Sequence, residues 1–301
     1  MTEIYHPIGV PGQIWGNKEK QLWFKQQAIK RSYHNEVVAK LDAINADFEC
    51  VKYSNIKVGL RSYPLYAVLN KKWQENNKNV LVTGGVHGYE TSGVQGAIRF
   101  LQTEAKALSK IYNIIVIPCV SPWSYETINR WNHQAIDPNR AFVNNSPARE
   151  SSALMTFVDN LNVHFDMHID LHETTDTDNS TFRPALAARD GIEQKNSNIP
   201  DGFYLVGDST KPAANFQKAI IKAVSKVTHI APPDEADQLI GVNIEQFGVI
   251  NYAARALGLC MGLTAAKYVT TTEVYPDSPL VNDGNCISAQ VAAIVAAIEF
   301  I

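Results

Sequence analysis

Short runs of buried-strand character alternate along this chain with stretches of helical spacing, and that alternation restricts the possible folds more than any other feature. The runs Glu49–Ser54, Pro64–Asn70, Val80–Thr83, Ile114–Ile117, Phe165–Leu171, Phe203–Val206 and Val269–Val274 read as strands, most of them closed off by Gly, Pro or polar turn residues. Between them, Glu19–Phe48 sets Leu22, Trp23, Ala28, Ile29, Val37, Val38, Leu41 and Ile44 at helical spacing, which predicts one or two amphipathic helices. Thr91–Ala107 returns to the same period. Such alternation predicts a three-layer α/β/α fold with a mixed, largely parallel central sheet. No internal repeat, low-complexity tract or shift of composition marks a linker, so residues 1–301 are expected to form one catalytic domain, with residues 1–50 as a helical extension packed on it.

Composition narrows the partners. A 45% hydrophobic content supports a substantial core, and a net charge of -3 with scattered Lys and Arg offers no basic face for nucleic acid. The four cysteines, Cys50, Cys119, Cys260 and Cys286, are far apart and make no C-x-x-C pair, which argues against a thiolate metal site and for a reducing compartment. The N-terminus Met1-Thr-Glu-Ile-Tyr-His-Pro7 lacks the charged and apolar regions of a secretory signal. The apolar C-terminal stretch Ile287–Ile301 is shorter than the roughly 20 residues of a membrane span and carries Gln290 and Glu299, so a packed helix is expected there. A cytoplasmic protein without a membrane partner is the expectation; nothing in the sequence sets its oligomeric state.

Several common catalytic signatures are missing: G-x-S-x-G, the P-loop, G-x-G-x-x-G and H-E-x-x-H. Four other segments carry chemistry. In Thr83-Gly-Gly-Val-His87-Gly-Tyr-Glu90 a strand ends in glycines, and an imidazole and a carboxylate follow three residues apart where a helix should begin. Ligand sites in open α/β sheets gather beyond the carboxyl ends of strands. The same pattern also fits a Gly-rich turn whose His and Glu face solvent. In Phe165-Asp-Met-His168-Ile-Asp170-Leu-His172-Glu173, strand alternation puts His168, Asp170 and His172 on one face and Glu173 on the other. Among these His172 reaches the strand end, and His168 reads as a core histidine. Two His and one carboxylate with a fourth position open is the pattern of a catalytic zinc site. The third segment, Asn129-Arg130-Trp-Asn-His-Gln-Ala-Ile-Asp137-Pro-Asn139-Arg140, offers forked donors for a carboxylate or oxyanion, or merely surface ion pairs. The fourth, Tyr268-Val-Thr-Thr-Thr-Glu273-Val, carries a single carboxylate on a β-branched run. The acidic group Glu173, Asp176 and Asp178 could favour a basic substrate group or could be a solvated loop.

Taken together, Gly-Gly-Val-His87-Gly-Tyr-Glu90, Asp137-Pro-Asn139-Arg140-Ala-Phe142, Asp170-Leu-His172-Glu173 and Thr272-Glu273 resemble, in order and across residues 80–275, the zinc carboxypeptidase family. That family spans digestive-type carboxypeptidases, murein-peptide amidases and a deacylase branch with succinylglutamate desuccinylase and aspartoacylase. The resemblance implies a zinc-carboxypeptidase-like fold and one Zn2+ per chain held by His87, Glu90 and His172. It implies that Asp137 accepts the second ring N–H of His87, that Asn139 and Arg140 grip a substrate carboxylate, and that Tyr252 covers the substrate. Arg130, which stands nearer Asn139 than in the digestive members, would polarise the scissile carbonyl. Glu273 would take a proton from the attacking water and return it to the leaving amine. The implied activity is a metallocarboxypeptidase acting on a peptide with a free carboxylate, such as a murein peptide. The alternatives are an N-acyl-amino-acid deacylase and an inactive peptide-binding scaffold. The lack of an evident C-terminal barrel, as found capping aspartoacylase-like enzymes, favours the peptidase.

Overall fold

The computed structural model describes residues 6–44 and 46–301; the first five residues of the segment read for a targeting signal lie outside the described residues. Among the described residues the strands are β1 Phe48–Val58, β2 Arg61–Asn70, β3 Lys78–Gly84, β4 Tyr112–Ile117, β5 Met167–Glu173, β6 Tyr204–Asp208, β7 Gln238–Leu239, β8 Val242–Asn243, β9 Val249–Tyr252 and β10 Tyr268–Val274. Eight form one sheet in the order β1-β2-β4-β3-β5-β10-β6-β9, while β7 and β8 make a separate hairpin. The central strands β4, β3, β5 and β10 run parallel, and antiparallel pairs flank them at β1·β2, β2·β4 and β10·β6. The expected mixed α/β architecture is therefore present.

Alternation along the central strands builds two cores. Val80 and Val82 of β3, with Ile114 and Val116 of β4, face a core shared with Val94, Ile98, Ala293 and Ile294 from the helices Thr91–Thr103 and Asp283–Phe300. Leu81, Ile115 and Ile117 face the opposite side, against Leu154 and Val158 of the helix Arg149–Asn160. Strands covered on both faces favour apolar residues on both, which is why the runs in β3 and β4 are continuous, while β5 carries His168, Asp170 and His172 on one buried face. The apolar C-terminal stretch is the helix Asp283–Phe300, capped by Asn282, whose side chain accepts from Asn285 N at 3.0 Å. Among the described residues no helix is long and apolar enough to cross a membrane.

Two expectations fail locally. The helical reading of Glu19–Phe48 holds for Asn17–Lys25 and again for His34–Asp42, but residues 27–31 are not helical, and Leu22 and Ile29 are exposed. The break has a tertiary cause. Arg31 donates to Tyr125 O (2.7 Å), Thr91 Oγ1 (2.7 Å) and Gly88 O (2.5 Å), and the backbone N–H groups of Lys30 and Arg31 both reach Glu126 O. Those bonds take the place of a helical ladder. Strand β9, Gly-flanked and only four residues long, was not anticipated at all.

The ends of β3 and β5 meet the start of the helix Thr91–Thr103 so closely that glycine is required. A Cβ on Gly93 would stand 2.5 Å from Leu171 O, and one on Gly84 would stand 2.7 Å from Gly93 O. Gly93→Ala should gain about 1 kcal/mol of helix propensity but lose more to overpacking, which typically costs about 1–3 kcal/mol and more against rigid backbone. A lowered midpoint in urea unfolding is the expected result; an unchanged or raised midpoint would refute the close-approach argument.

Candidate metal centre

The turn after β3 delivers the first two polar groups. Gly85 takes φ +63, a left-handed conformation that glycine adopts without strain, and its Cβ would meet Val94 Cγ2 at 2.6 Å. This bend carries His87 over the strand end and sets Glu90 just before the first turn of the helix. His172 arrives from the carboxyl end of the neighbouring parallel strand β5, in register with Glu273 of β10. His87, Glu90 and His172 thereby place one donor atom each within 4.8 Å of one another, and all three are buried.

The two imidazoles present the same edge inward. His87 Nδ1 lies 2.7 Å from Glu90 Oε1 and His172 Nδ1 lies 2.8 Å from Glu90 Oε2. The outer nitrogens are each held by a carboxylate: His87 Nε2 by Asp137 Oδ1 at 3.0 Å, and His172 Nε2 by Asp170 Oδ2 at 2.6 Å. Donation from both Nε2–H groups fixes the rings with Nδ1 lone pairs converging on Glu90, an arrangement that repels unless a cation or proton intervenes. Glu90 Oε2 is moreover a buried oxygen without a hydrogen-bond partner. The donor set of two imidazoles and one carboxylate, with both outer nitrogens anchored, fits a divalent ion such as zinc.

The electrostatics show the same demand for positive charge between the rings and Glu90. Burial alone would raise the Glu90 carboxyl, but His172 and His87 beside it outweigh burial and hold it at about 2. Burial works against a charged His172, yet Asp170 and Glu90 override it and drive the ring pKa well above its usual value. Asp137 is also desolvated, and the Arg130 and His87 charges keep it ionised well below the carboxylate range. Glu273 lies deep enough among protein atoms that desolvation pushes its carboxyl up to about 8, against the opposing pull of His172. Its Oε2 accepts from Thr174 Oγ1 at 2.9 Å, and Thr174 in turn pairs with Tyr204 Oη at 2.7 Å.

The other residues singled out from the sequence divide into two groups. Arg130 is close to the cluster: its Nε donates to Asp137 Oδ2 at 3.1 Å, and its guanidinium lies over the Phe182 ring at 4.1 Å. Asn139 is buried against it too, with Oδ1 accepting from Cys260 N at 2.7 Å and Nδ2 at 3.5 Å from His172 Nε2. Arg140 stands apart; it is exposed and its Nη1 donates to the Asn139 carbonyl at 2.7 Å. Tyr252, at the end of β9, feels the charges of Glu273, Arg140 and Arg183. His168 is a fully buried core residue, 2.9 Å from Thr83 Oγ1, and burial lowers it to about 4. Glu173 turns away from the cluster to accept from Ser92 N at 2.5 Å.

Asp170 had been given no role from the sequence, yet it holds His172 and is itself fixed by Thr83 Oγ1 at 2.6 Å. Its signal was present: residues i and i+2 of a strand share a face, so Asp170 and His172 had to be neighbours. Tyr89 and Asp178 were also missed as partners of Arg130, and no local pattern announces them.

Comparison with known proteins agrees with this geometry. Residues 76–196 match the family model "Succinylglutamate desuccinylase/Aspartoacylase catalytic domain". No match was found among curated proteins. Among solved structures, a provisionally assigned metallopeptidase of Shewanella amazonensis SB2B superposes with a TM-score of 0.66 at 19% identity, covering 91% of this chain and 98% of that one. A metallo-carboxypeptidase of Burkholderia cenocepacia gives 0.58 at 15% identity over 87% and 67%. Bovine thrombin-activatable fibrinolysis inhibitor gives 0.59 at 13% identity over 92% and 98%. The chain thus matches the succinylglutamate desuccinylase/aspartoacylase catalytic-domain model over residues 76–196 and shares the fold of solved metallo-carboxypeptidases, around a His87–Glu90–His172 set that could hold a metal ion.

Proposed function

We propose that this protein is a zinc-dependent carboxypeptidase, hydrolysing the amide bond one residue from a free carboxylate. The observation that carries the reading is Glu273, held in register beside His172 with a carboxyl raised toward neutrality, next to three converging donor side chains. A zinc ion held by His87, Glu90 and His172 would supply Lewis acidity and a water acidified toward neutral pH.

The chain's own groups supply the rest. Asp137 and Asp170 orient the two imidazoles. Glu273, with Thr174 fixing one carboxylate oxygen, accepts a proton from the attacking water and delivers it to the leaving nitrogen, a task suited to a group that titrates near working pH. Arg130, its charge offset by Asp137, directs guanidinium N–H groups toward developing negative charge on the scissile carbonyl oxygen. Asn139 donates its backbone N–H to Asp137 Oδ1 and the Arg140 charge acts on both Asp137 and Tyr252, and we assign Asn139 and Arg140 to the substrate carboxylate, with Tyr252 to cover it.

A second reading, deacylation of an N-acyl amino acid, is favoured by the family model over residues 76–196. Both readings need the carboxylate anchor, so an amidated substrate should lose about 10–100-fold in kcat/KM, the worth of a charge-assisted hydrogen-bond pair. Arg140→Ala should cost the free acid a similar factor and leave the amide unchanged. If amidation makes no difference and Arg140→Ala is silent, the anchor is elsewhere. Comparing a peptide with a short acyl derivative of the same terminal residue separates the two readings: preference for the peptide supports carboxypeptidase, and preference for the short acyl group supports deacylase.

A further inference from the structure

Behind the Tyr89–Arg130–Asp178 layer lies a cavity of about 630 Å³ that the mechanism above does not use. Tyr89 connects it to the cluster, since its ring stacks on His87 with centroids 6.1 Å apart. Arg130, the group facing the scissile carbonyl, lines this cavity, whereas Arg140 lines a different one together with Asp137 and Lys20. Because Arg130 and Tyr89 wall this cavity and Arg140 lines the smaller one, a substrate whose carboxylate is on Arg140 and whose carbonyl is on Arg130 has the larger of the two on its acyl side.

The far wall of that cavity comes from the N-terminal segment, outside the matched catalytic-domain region. Trp23, Gln26 and Gln27 line it, and Trp23 is locked there by Trp123 and Trp131, with ring centroids at 6.0 and 5.6 Å. Asn129 Nδ2 donates to Gln27 Oε1 at 3.0 Å, tying the segment to the loop that bears Arg130. Trp131, 3% exposed, also lines the cavity, and its indole Nε1 has no hydrogen-bond partner. The rim and floor carry Glu173, Asp178, Asp277 and Asp283, opposed by Lys30 and by Arg130, which Asp137 already offsets. The volume exceeds what a formyl- to succinyl-sized group requires and suits a peptide, within the usual range of ligand cavities of roughly 300–1,000 Å³.

We propose that this cavity is a subsite for the acyl side of the substrate, that it takes a peptide segment bearing a cationic side chain, and that the N-terminal segment helps define it. The proposal rests on the hydrolase reading for its orientation, but binding tests it without turnover. Aromatic walls and net negative charge favour an ammonium or guanidinium over a carboxylate. The excess carboxylates sit at a solvent-accessible rim, so each is expected to contribute modestly.

Calorimetric titration of zinc-loaded Glu273→Gln, in which turnover is suppressed, with the peptides Ala-Lys-Ala and Ala-Glu-Ala tests this, hydrolysis by the unaltered protein being followed separately. Ala-Lys-Ala should bind about fivefold tighter, as two rim ion pairs allow. The double variant Asp277→Asn/Asp283→Asn, remote from the metal cluster, should reduce that preference to within about twofold. Trp23→Ala or, should that variant fail to fold, Gln27→Ala should weaken Ala-Lys-Ala several-fold. Equal affinity for the two peptides, or a preference that survives the double variant, overturns the proposal. Absence of hydrolysis with the binding pattern intact would instead count against the function proposed above and leave this subsite standing.

Discussion

Glu273→Gln should keep its zinc and lose about 10²–10⁴-fold in kcat, the range expected for removing a general base. The substitution preserves shape and the oxygen that accepts from Thr174 Oγ1, so the local bond at 2.9 Å can persist. It removes the ability to hold a proton between attack and expulsion of the leaving group. Glu273 is not among the three converging donors, so metal content should not change. Zinc stoichiometry after dialysis, read beside kcat for a free-acid peptide, checks both halves at once. Near-wild-type turnover in Glu273→Ala would place the base elsewhere, and Glu173 would be the next residue to test, although it bonds Ser92 N on the other side of the strand.

His172→Ala should have a larger and broader effect. It removes one of three donors, so zinc retained through dialysis should fall well below one per chain, and hydrolysis should fall to background. It also strands two buried carboxylates. Glu90 and Asp170 face His172 from opposite edges of its ring, at 2.8 and 2.6 Å, and both are essentially inaccessible to solvent. Breaking a buried charge pair by deleting one partner costs about 3–5 kcal/mol. Chemical denaturation of the metal-free forms isolates that cost from the contribution of bound metal. A metal-free variant as stable as the metal-free parent would mean that Glu90 and Asp170 are neutral or solvated when His172 is gone. Stoichiometric zinc in the variant would remove His172 from the ligand set.

How much of this was legible beforehand follows from how far each interaction reaches along the chain. The strands β3 and β4 were readable because doubly covered parallel strands are apolar on both faces, whereas β5 and β10 mix apolar with polar residues and were read from alternation and β-branched content. The position of His172 was also local information: side-chain alternation and the strand end set it, and the same alternation left His168 inside the core. The turn after β3 announced itself by Gly84 and Gly85, whose lack of Cβ permits the approach to Gly93, Val94 and Cys119.

What the sequence could not reveal were the bonds between distant segments. Helical periodicity through residues 27–31 was overruled by Arg31, whose partners Tyr125, Thr91 and Gly88 lie 57 to 94 residues away. The partition of Arg130 and Arg140 into different cavities was equally invisible, because both belong to one short loop and only packing separates them. The sequence by itself determined the α/β core and the place of His172 at the end of its strand, since strand periodicity acts over a few residues; the set His87, Glu90 and His172 was implied by family resemblance, and its convergence is tertiary. Tertiary structure alone decided that Glu273 stands beside His172 and that Trp23 reaches the acyl-side cavity, because those contacts depend on strand order and on how the N-terminal segment packs on Trp123 and Trp131.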